Sequence, residues 1–96
     1  MRNRTIDSLL DDENLRPMDV VNALEEYVKW TSSEEDAIDN LESLFELQLD
    51  FSERHKTRIR NSLARGIYSA AAQGFTRNVE EYVKAIHTFT HCYGSN

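Results

Sequence analysis

Apolar residues recur along this chain at intervals of three and four, which is the spacing of an amphipathic α-helix. The pattern predicts four helices, over residues 17–30, 33–49, 51–73 and 76–93. Nothing alternates with a period of two over a useful length, so no sheet is expected. The sequence therefore predicts an all-α fold, a small antiparallel bundle of about four helices.

Local signals mark the ends of the predicted helices. Pro17 suits the first position of a helix, because its missing N–H costs nothing there. Ser32 and Glu35 have the spacing of a capping box, which predicts that the second helix begins behind them. Asp50 opens a similar signal for the third helix, and Gly74 is suited to the left-handed position that ends it. Connections of only a few residues should join the helices.

The first sixteen residues contain few apolar side chains. Ile6, Leu9 and Leu10 are expected to form one helical turn, capped by Thr5, that packs as a flap. Residues 1–16 are therefore interpreted as a flexible or partly helical arm, and residues 17–94 as a single helical domain. A domain this small can also finish burying its apolar surface against a second copy, so the sequence leaves a homodimer open.

Charge is distributed unevenly along the chain. The protein has 17 acidic and 11 basic residues and a formal net charge of −6. Residues 5–50 hold fourteen acids against only Arg16 and Lys29, whereas residues 54–65 hold five basic residues and no acid. The net charge disfavours bulk attraction to nucleic acid or to an anionic membrane. A chain with opposed halves can nevertheless neutralise itself or bind partners of either sign.

The remaining composition indicates a class of protein and not a reaction. The single cysteine, Cys92, excludes an intrachain disulfide, which a small secreted domain usually needs. No secretory signal and no stretch of transmembrane length is recognised. We therefore expect a cytoplasmic protein that is not bound to a membrane. No catalytic or cofactor motif is recognised, so we predict no enzymatic activity and no cofactor.

Four acids of the predicted 33–49 helix recur in steps of four, three and four, which places them on one helix face. An ordinary solvated face is one interpretation of this row. The functional hypothesis is that the row binds a basic surface of a larger partner protein, with two acids of the first helix as extensions. Such a protein would act as an inhibitor, adaptor or regulator, and as a nucleic-acid mimic of the phage or mobile-element type. The predicted partner-binding residues are Glu35, Asp39, Glu42, Glu46, Asp19 and Glu26.

Basic residues on the predicted 51–73 helix follow the same steps. In a hairpin that turns near residue 50, the acidic and basic rows would match level by level, but the rotational phase of the two apolar stripes predicts that the rows diverge. The alternative function is a small nucleic-acid-binding regulator that acts through the helix 52–73. The strong acidity elsewhere and the lack of interleaved exposed aromatic residues count against it. Tyr68, off the centre of the apolar stripe, is a separate candidate for a protein interface such as that of a dimer. The basic row is Arg54, Arg58, Asn61 and Arg65, and the alternative site is Arg54, Arg58 and Arg65.

Two histidines near the carboxyl end provide a weak metal hypothesis. His87 and His91 are four residues apart, share a helix face and lie next to Cys92. The sequence lacks the glutamate of the HExxH pattern, and a third ligand would have to come from elsewhere in the fold. Two exposed histidines on a polar face are the simpler interpretation, so no metal site is predicted.

Overall fold

Three long helices and two short ones make up the fold. The computed structural model describes residues 5–35 and 38–94, and no strand occurs in those residues. The predicted all-α helical bundle is therefore confirmed. The helices are α1 (Ile6–Leu10), α2 (Pro17–Thr31), α3 (Ser43–Glu46), α4 (Glu53–Gln73) and α5 (Thr76–Tyr93).

The helix α4 is at the centre of the packing. It contacts both α2 and α5, while α3 packs on α5 and α1 packs on α3. The molecule measures 34 × 33 × 19 Å along its principal axes, so it is flattened. Each helix contributes to one core, in which Leu9, Leu24, Phe45, Leu63 and Tyr82 are fully buried. In the part of the chain that the structure describes, every helix is too short or too polar to cross a bilayer.

Several predicted helix ends are confirmed. Pro17 occupies the first turn of α2, and the Asp19 carboxylate accepts a hydrogen bond from the Arg16 N–H at 3.0 Å. Gly74 ends α4 in the left-handed conformation with a φ of 78°. The start of α4 differs from the prediction. The Ser52 hydroxyl caps the helix by accepting a hydrogen bond from the His55 N–H at 3.1 Å. The first helical turn therefore begins at Glu53 and not near Asp50.

The single helix predicted over residues 33–49 is wrong. Among the described residues of that range only Ser43–Glu46 form an α-helix. Ser32 ends α2, and its hydroxyl donates to the Lys29 carbonyl oxygen at 2.7 Å instead of starting a new helix. Asn40 has a φ of 65°, in the left-handed region that a continuous right-handed helix excludes. Asn is among the residues that tolerate this conformation, because its short polar side chain can bond locally.

A buried carboxylate on α5 holds the segment in this irregular path. One oxygen of Glu81 accepts the Asn40 N–H at 3.1 Å, and the other lies 3.1 Å from the Lys84 ammonium nitrogen. Glu81 is only 8% exposed, so this paired carboxylate is part of the core. The Asn40 backbone donor, which a helix would direct to a residue four positions earlier, is bonded to α5 instead. Gln48, with a φ of 55°, lies just beyond α3, where the helix has ended.

A second buried polar cluster fixes the end of α2 to α5. The side-chain amide of Asn78, which is fully buried, donates to the Thr31 carbonyl oxygen at 3.2 Å and to the Glu34 carbonyl oxygen at 3.0 Å. The Thr31 hydroxyl donates to the Tyr27 carbonyl oxygen at 2.7 Å and also contacts the Tyr82 hydroxyl. Burial raises the pKa of Tyr82 to about 12, although the bond to Thr31 opposes this shift. Every named polar side chain of this cluster has a partner, and the cluster attaches the start of the segment after α2 to α5.

Candidate nucleic-acid interface

One face of α4 presents basic side chains to solvent while its opposite face lies in the core. Ile59 and Leu63 are fully buried on the inner face. On the outer face, residues at steps of four and three lie above one another, as helical geometry requires. This row runs from residue 54 to residue 68 and is therefore about 21 Å long. We call it the basic ridge, and it consists of Arg54, Arg58, Asn61, Arg65 and Tyr68.

Tyr68, a predicted interface candidate, is exposed at the end of this row. Its side chain is 80% exposed, more than any other large hydrophobic residue in the described part of the chain. It lies three residues beyond Arg65, on the same side of α4. The basic ridge therefore carries one exposed aromatic ring at its end, although no aromatic side chain lies between its arginines.

A groove between α2 and α4 borders the basic ridge. Its volume is about 310 Å³, and three cations and one carboxylate line it, together with an amide, a hydroxyl and a valine. The lining therefore has a net charge of +2 in a protein whose overall charge is −6. The charged residues of this lining are Lys29, Arg58, Arg65 and Glu25.

The centre of the groove is an ion pair between α2 and α4. The Arg58 guanidinium donates to the Glu25 carboxylate through Nε at 2.9 Å and through Nη2 at 2.8 Å, which is bidentate geometry. Both side chains are 38% exposed. This hydrogen bond is the main cause of a lowered pKa at Glu25, and the charges of Arg58, Lys29 and Arg65 lower that pKa further. The same bond raises the pKa of Arg58, so both groups stay charged across the physiological range.

Glu25 and Lys29 are parts of this site that the sequence did not predict. The sequence predicts no partner for Arg58, because the acidic and basic rows are expected to diverge, whereas its partner in the structure lies 33 residues away on α2. One sequence signal did exist: Glu25 and Lys29 are four residues apart, and this spacing places them on one face of α2. Nothing in that spacing indicated that the face would lie beside α4.

The predicted acidic row does not form a helix face, because the helix that would carry it is absent. Two of its members instead bind Arg77 at the start of α5. Glu35 accepts the Arg77 backbone N–H at 3.0 Å, and Asp39 accepts from the Arg77 guanidinium at 2.5 Å. A carboxylate at this position also suits the positive end of the helix dipole. Both carboxylates are exposed, as the interpretation of a solvated row expects, and the Asp39 side chain is 53% exposed, but each is also bonded to Arg77.

The other predicted partner-binding acids lie in different surroundings. Glu46 is exposed on α3. Glu42 is partly buried, and one of its carboxylate oxygens is enclosed without a hydrogen-bond partner among the described residues. On α2, Asp19 caps the first turn, and Glu26 lies 3.9 Å from the Lys29 ammonium nitrogen. The structure therefore does not gather the six acids into one continuous surface row.

The two histidines of the metal hypothesis are both exposed on α5, and Cys92 beside them is partly buried. Across residues 5–35 and 38–94, no group of three or more His, Cys, Asp or Glu side chains is placed to hold a metal ion. The third ligand that His87 and His91 would need is thus not supplied within that part of the fold.

Fold and surface together define a class: a small all-α protein in which one helix presents arginines and an exposed tyrosine beside a cationic groove. No protein-family model matches the chain, no curated protein matches it in sequence, and no solved structure matches it in fold.

Proposed function

We propose that this chain is a small non-enzymatic regulator that binds single-stranded nucleic acid through the basic ridge of α4. The observation that carries this proposal is the 80% exposed ring of Tyr68 at the end of a row of arginines on a rigid helix. Proteins that bind single strands combine cationic side chains along the phosphate backbone with aromatic rings on which bases stack. A single strand is favoured over a duplex because only unpaired bases can stack on a side chain. The single cysteine, Cys92, supports a reducing compartment, the cytoplasm.

The distribution of charge allows this function despite the net charge of −6. Residues 51–96 carry a net charge of +4, because seven basic residues there oppose only three acids. Arg54 and Arg65 are exposed on the basic ridge, and Arg58 retains N–H donors beyond the two that bind Glu25. Acids elsewhere on the molecule reduce the long-range attraction, so binding should be moderate and strongly dependent on salt.

Fluorescence anisotropy over a salt series, with a labelled single strand of about 16 nucleotides, tests this proposal. We expect Tyr68→Ala to weaken binding by about 5- to 150-fold, because stacking on an aromatic ring contributes about 1–3 kcal/mol per base. The dependence on salt should not change, since tyrosine carries no charge. Arg65→Ala should instead reduce the slope of log affinity against log salt by about 0.7, because it removes one phosphate contact.

The matched control is Arg16→Ala, which removes an exposed arginine that lies before α2 and outside the basic ridge. It lowers the net charge as Arg65→Ala does, and the salt slope should stay at the wild-type value. The proposal is wrong if the wild-type protein shows no salt-dependent binding, or if Arg16→Ala and Arg65→Ala change the slope equally.

A second candidate function uses the acidic segment that follows α2, and one specific observation favours it. Three exposed carboxylates of this segment are held by fixed donors: Glu34 by the Trp30 indole N–H at 2.5 Å, and Glu35 and Asp39 by Arg77. Carboxylates that are already ordered lose little entropy when they bind. We propose that this acidic surface binds a basic region of a larger protein, in the manner of a nucleic-acid mimic.

Affinity capture from the native host with a paired control tests the second candidate. The double variant Glu35→Gln/Asp39→Asn removes two charges from the acidic segment, and Asp11→Asn/Glu80→Gln removes two exposed charges elsewhere. We expect the wild-type protein and the second variant to recover the same partner. The first variant should recover at least tenfold less of that partner, because it loses charges that complement the partner's basic surface. Equal recovery by all three proteins would contradict this role of the segment.

A further inference from the structure

The groove between α2 and α4 has the chemistry of an anion site. Its volume of about 310 Å³ is at the lower end of the range for small-molecule pockets and is sufficient for a phosphate group. Lys29 and Arg65 line the same groove as Arg58, and the Asn61 amide and the Ser62 hydroxyl can donate hydrogen bonds there. Ser62 is 8% exposed, so part of this lining is shielded from water.

One anion is already bound at the centre of the groove, and it belongs to the protein. The Glu25 carboxylate takes two parallel hydrogen bonds from Arg58, which is the geometry by which an arginine also binds phosphate. The hydrogen bond from Arg58 is the main cause of the lowered pKa of Glu25; burial opposes the shift, and the charges of Arg58, Lys29 and Arg65 add to it. Glu25 lies at the surface and outside the core, with 38% of its side chain exposed.

We infer that the groove binds a terminal phosphate group, held by Arg58, Lys29 and Arg65, and that Glu25 occupies the Arg58 guanidinium until the phosphate displaces it. Only the source of the phosphate, the end of a nucleic-acid strand, rests on the proposed function. A dianionic phosphate carries more negative charge than a carboxylate, and it can accept hydrogen bonds from Arg58 and from the neighbouring cationic side chains at the same time. Glu25 therefore lowers the affinity of the groove and excludes weaker anions.

Titration with inorganic pyrophosphate, followed by amide NMR, tests the groove without any nucleic acid. We expect saturable shifts at the amides of Lys29, Asn61 and Arg65. Glu25→Gln should tighten binding by up to about fivefold, because it removes a competing ion pair that is partly exposed. Arg58→Lys should weaken binding, because lysine keeps the charge but loses the bidentate fork.

The control for net charge is Glu13→Gln, which neutralises an exposed acid in the loop between α1 and α2. Its affinity for pyrophosphate should equal that of the wild-type protein, and thermal unfolding should show that all variants are folded. The inference is overturned if neither the wild-type protein nor Glu25→Gln shows saturable shifts, or if Glu25→Gln and Glu13→Gln tighten binding equally.

Two oligonucleotides of the same sequence, one with a 5′-phosphate and one with a 5′-hydroxyl, identify the source of the phosphate. Preference for the phosphorylated strand, increased in Glu25→Gln, supports the groove as a site for a strand end. If both strands bind alike and Glu25→Gln has no effect, the basic ridge binds nucleic acid and the inference about the groove is wrong. If pyrophosphate binds but neither strand does, the groove stands and the proposed function fails.

Discussion

Phe89→Ala should lower the free energy of unfolding by about 3–5 kcal/mol, the usual cost of truncating a buried phenylalanine. Phe89 is fully buried on α5 and lies at the centre of an aromatic cluster. Its ring centroid is 5.2 Å from that of Phe45, 6.5 Å from that of Phe51 and 5.2 Å from that of Tyr93. The Arg60 guanidinium also lies 5.5 Å from the ring centroid. Truncation would leave a cavity where α3, α4 and α5 meet.

This loss is large for a chain of this size. Small domains have free energies of unfolding of about 5–15 kcal/mol, so the variant should be marginally folded. Urea denaturation followed by circular dichroism measures the change in unfolding free energy. The control is Tyr68→Ala, which truncates an aromatic residue that is 80% exposed and should change stability by no more than about 0.5 kcal/mol. A loss below about 1 kcal/mol for Phe89→Ala would show that the ring does not fill the core as described.

The long helices could be predicted because their signals are local. Pro17 at the start of α2 and Gly74 at the end of α4 act through their own backbone conformations, which the sequence shows directly. The apolar spacing of α4 likewise identifies Ile59 and Leu63 as core residues without knowledge of what they contact. Each of these features depends on residues within a turn or two of the chain.

The path of residues 33–49 could not be predicted, because distant residues determine it. The apolar positions of that stretch fit a helix, but Glu81 binds the Asn40 N–H across 41 residues of sequence. Arg77 binds Glu35 and Asp39 from 42 and 38 residues away. Local spacing therefore favoured a regular helix where contacts with α5 hold an irregular segment.

The candidate site also has one part that local sequence predicts and one part that depends on distant residues. The basic ridge follows from spacing alone, because its residues belong to one helix that the sequence predicts. The groove required the pairing of α2 with α4, which places Glu25 against Arg58 across 33 residues. The prediction from rotational phase assumed a helix over residues 33–49, so it lost its basis with that helix, and it could not supply the partner of Arg58. Residues 33–73 do not form the simple helical hairpin that local spacing predicts, because α4 packs against α2 and α5.

The contact between α4 and α5 leads to the other large prediction, at Gly66. This glycine is buried in the middle of α4, and a Cβ built there would lie 2.5 Å from the nearest atom of the Tyr82 ring. Real Cβ atoms do not approach other atoms so closely, so the ring or one helix would have to move. Tyr82 is fully buried, and its hydroxyl contacts Thr31, so the ring has little freedom to turn away. Gly66 is therefore the position at which the two helices can approach this closely.

Gly66→Ala should lower the free energy of unfolding by about 1–3 kcal/mol, because overpacking of a filled core has that cost. The sign is informative, since alanine in place of glycine within a helix ordinarily stabilises by about 1 kcal/mol. Ala64→Gly, at a partly exposed position two residues earlier on α4, should show the ordinary effect and destabilise by about 0.5–1 kcal/mol. Urea denaturation of both variants measures the two changes on one scale.

A double-mutant cycle tests whether the Tyr82 ring causes the loss of stability expected for Gly66→Ala. Tyr82→Leu removes the ring, so adding Gly66→Ala to that variant should cost less than it does in the wild-type protein, by about 0.5–3 kcal/mol of coupling. Equal costs in both backgrounds would place the strain elsewhere in the contact between α4 and α5. A stabilising Gly66→Ala would mean that the helices separate easily, and the close approach would then not be required by the fold. The glycine is thus expected to act by its lack of a side chain, since its helical backbone conformation is open to any residue.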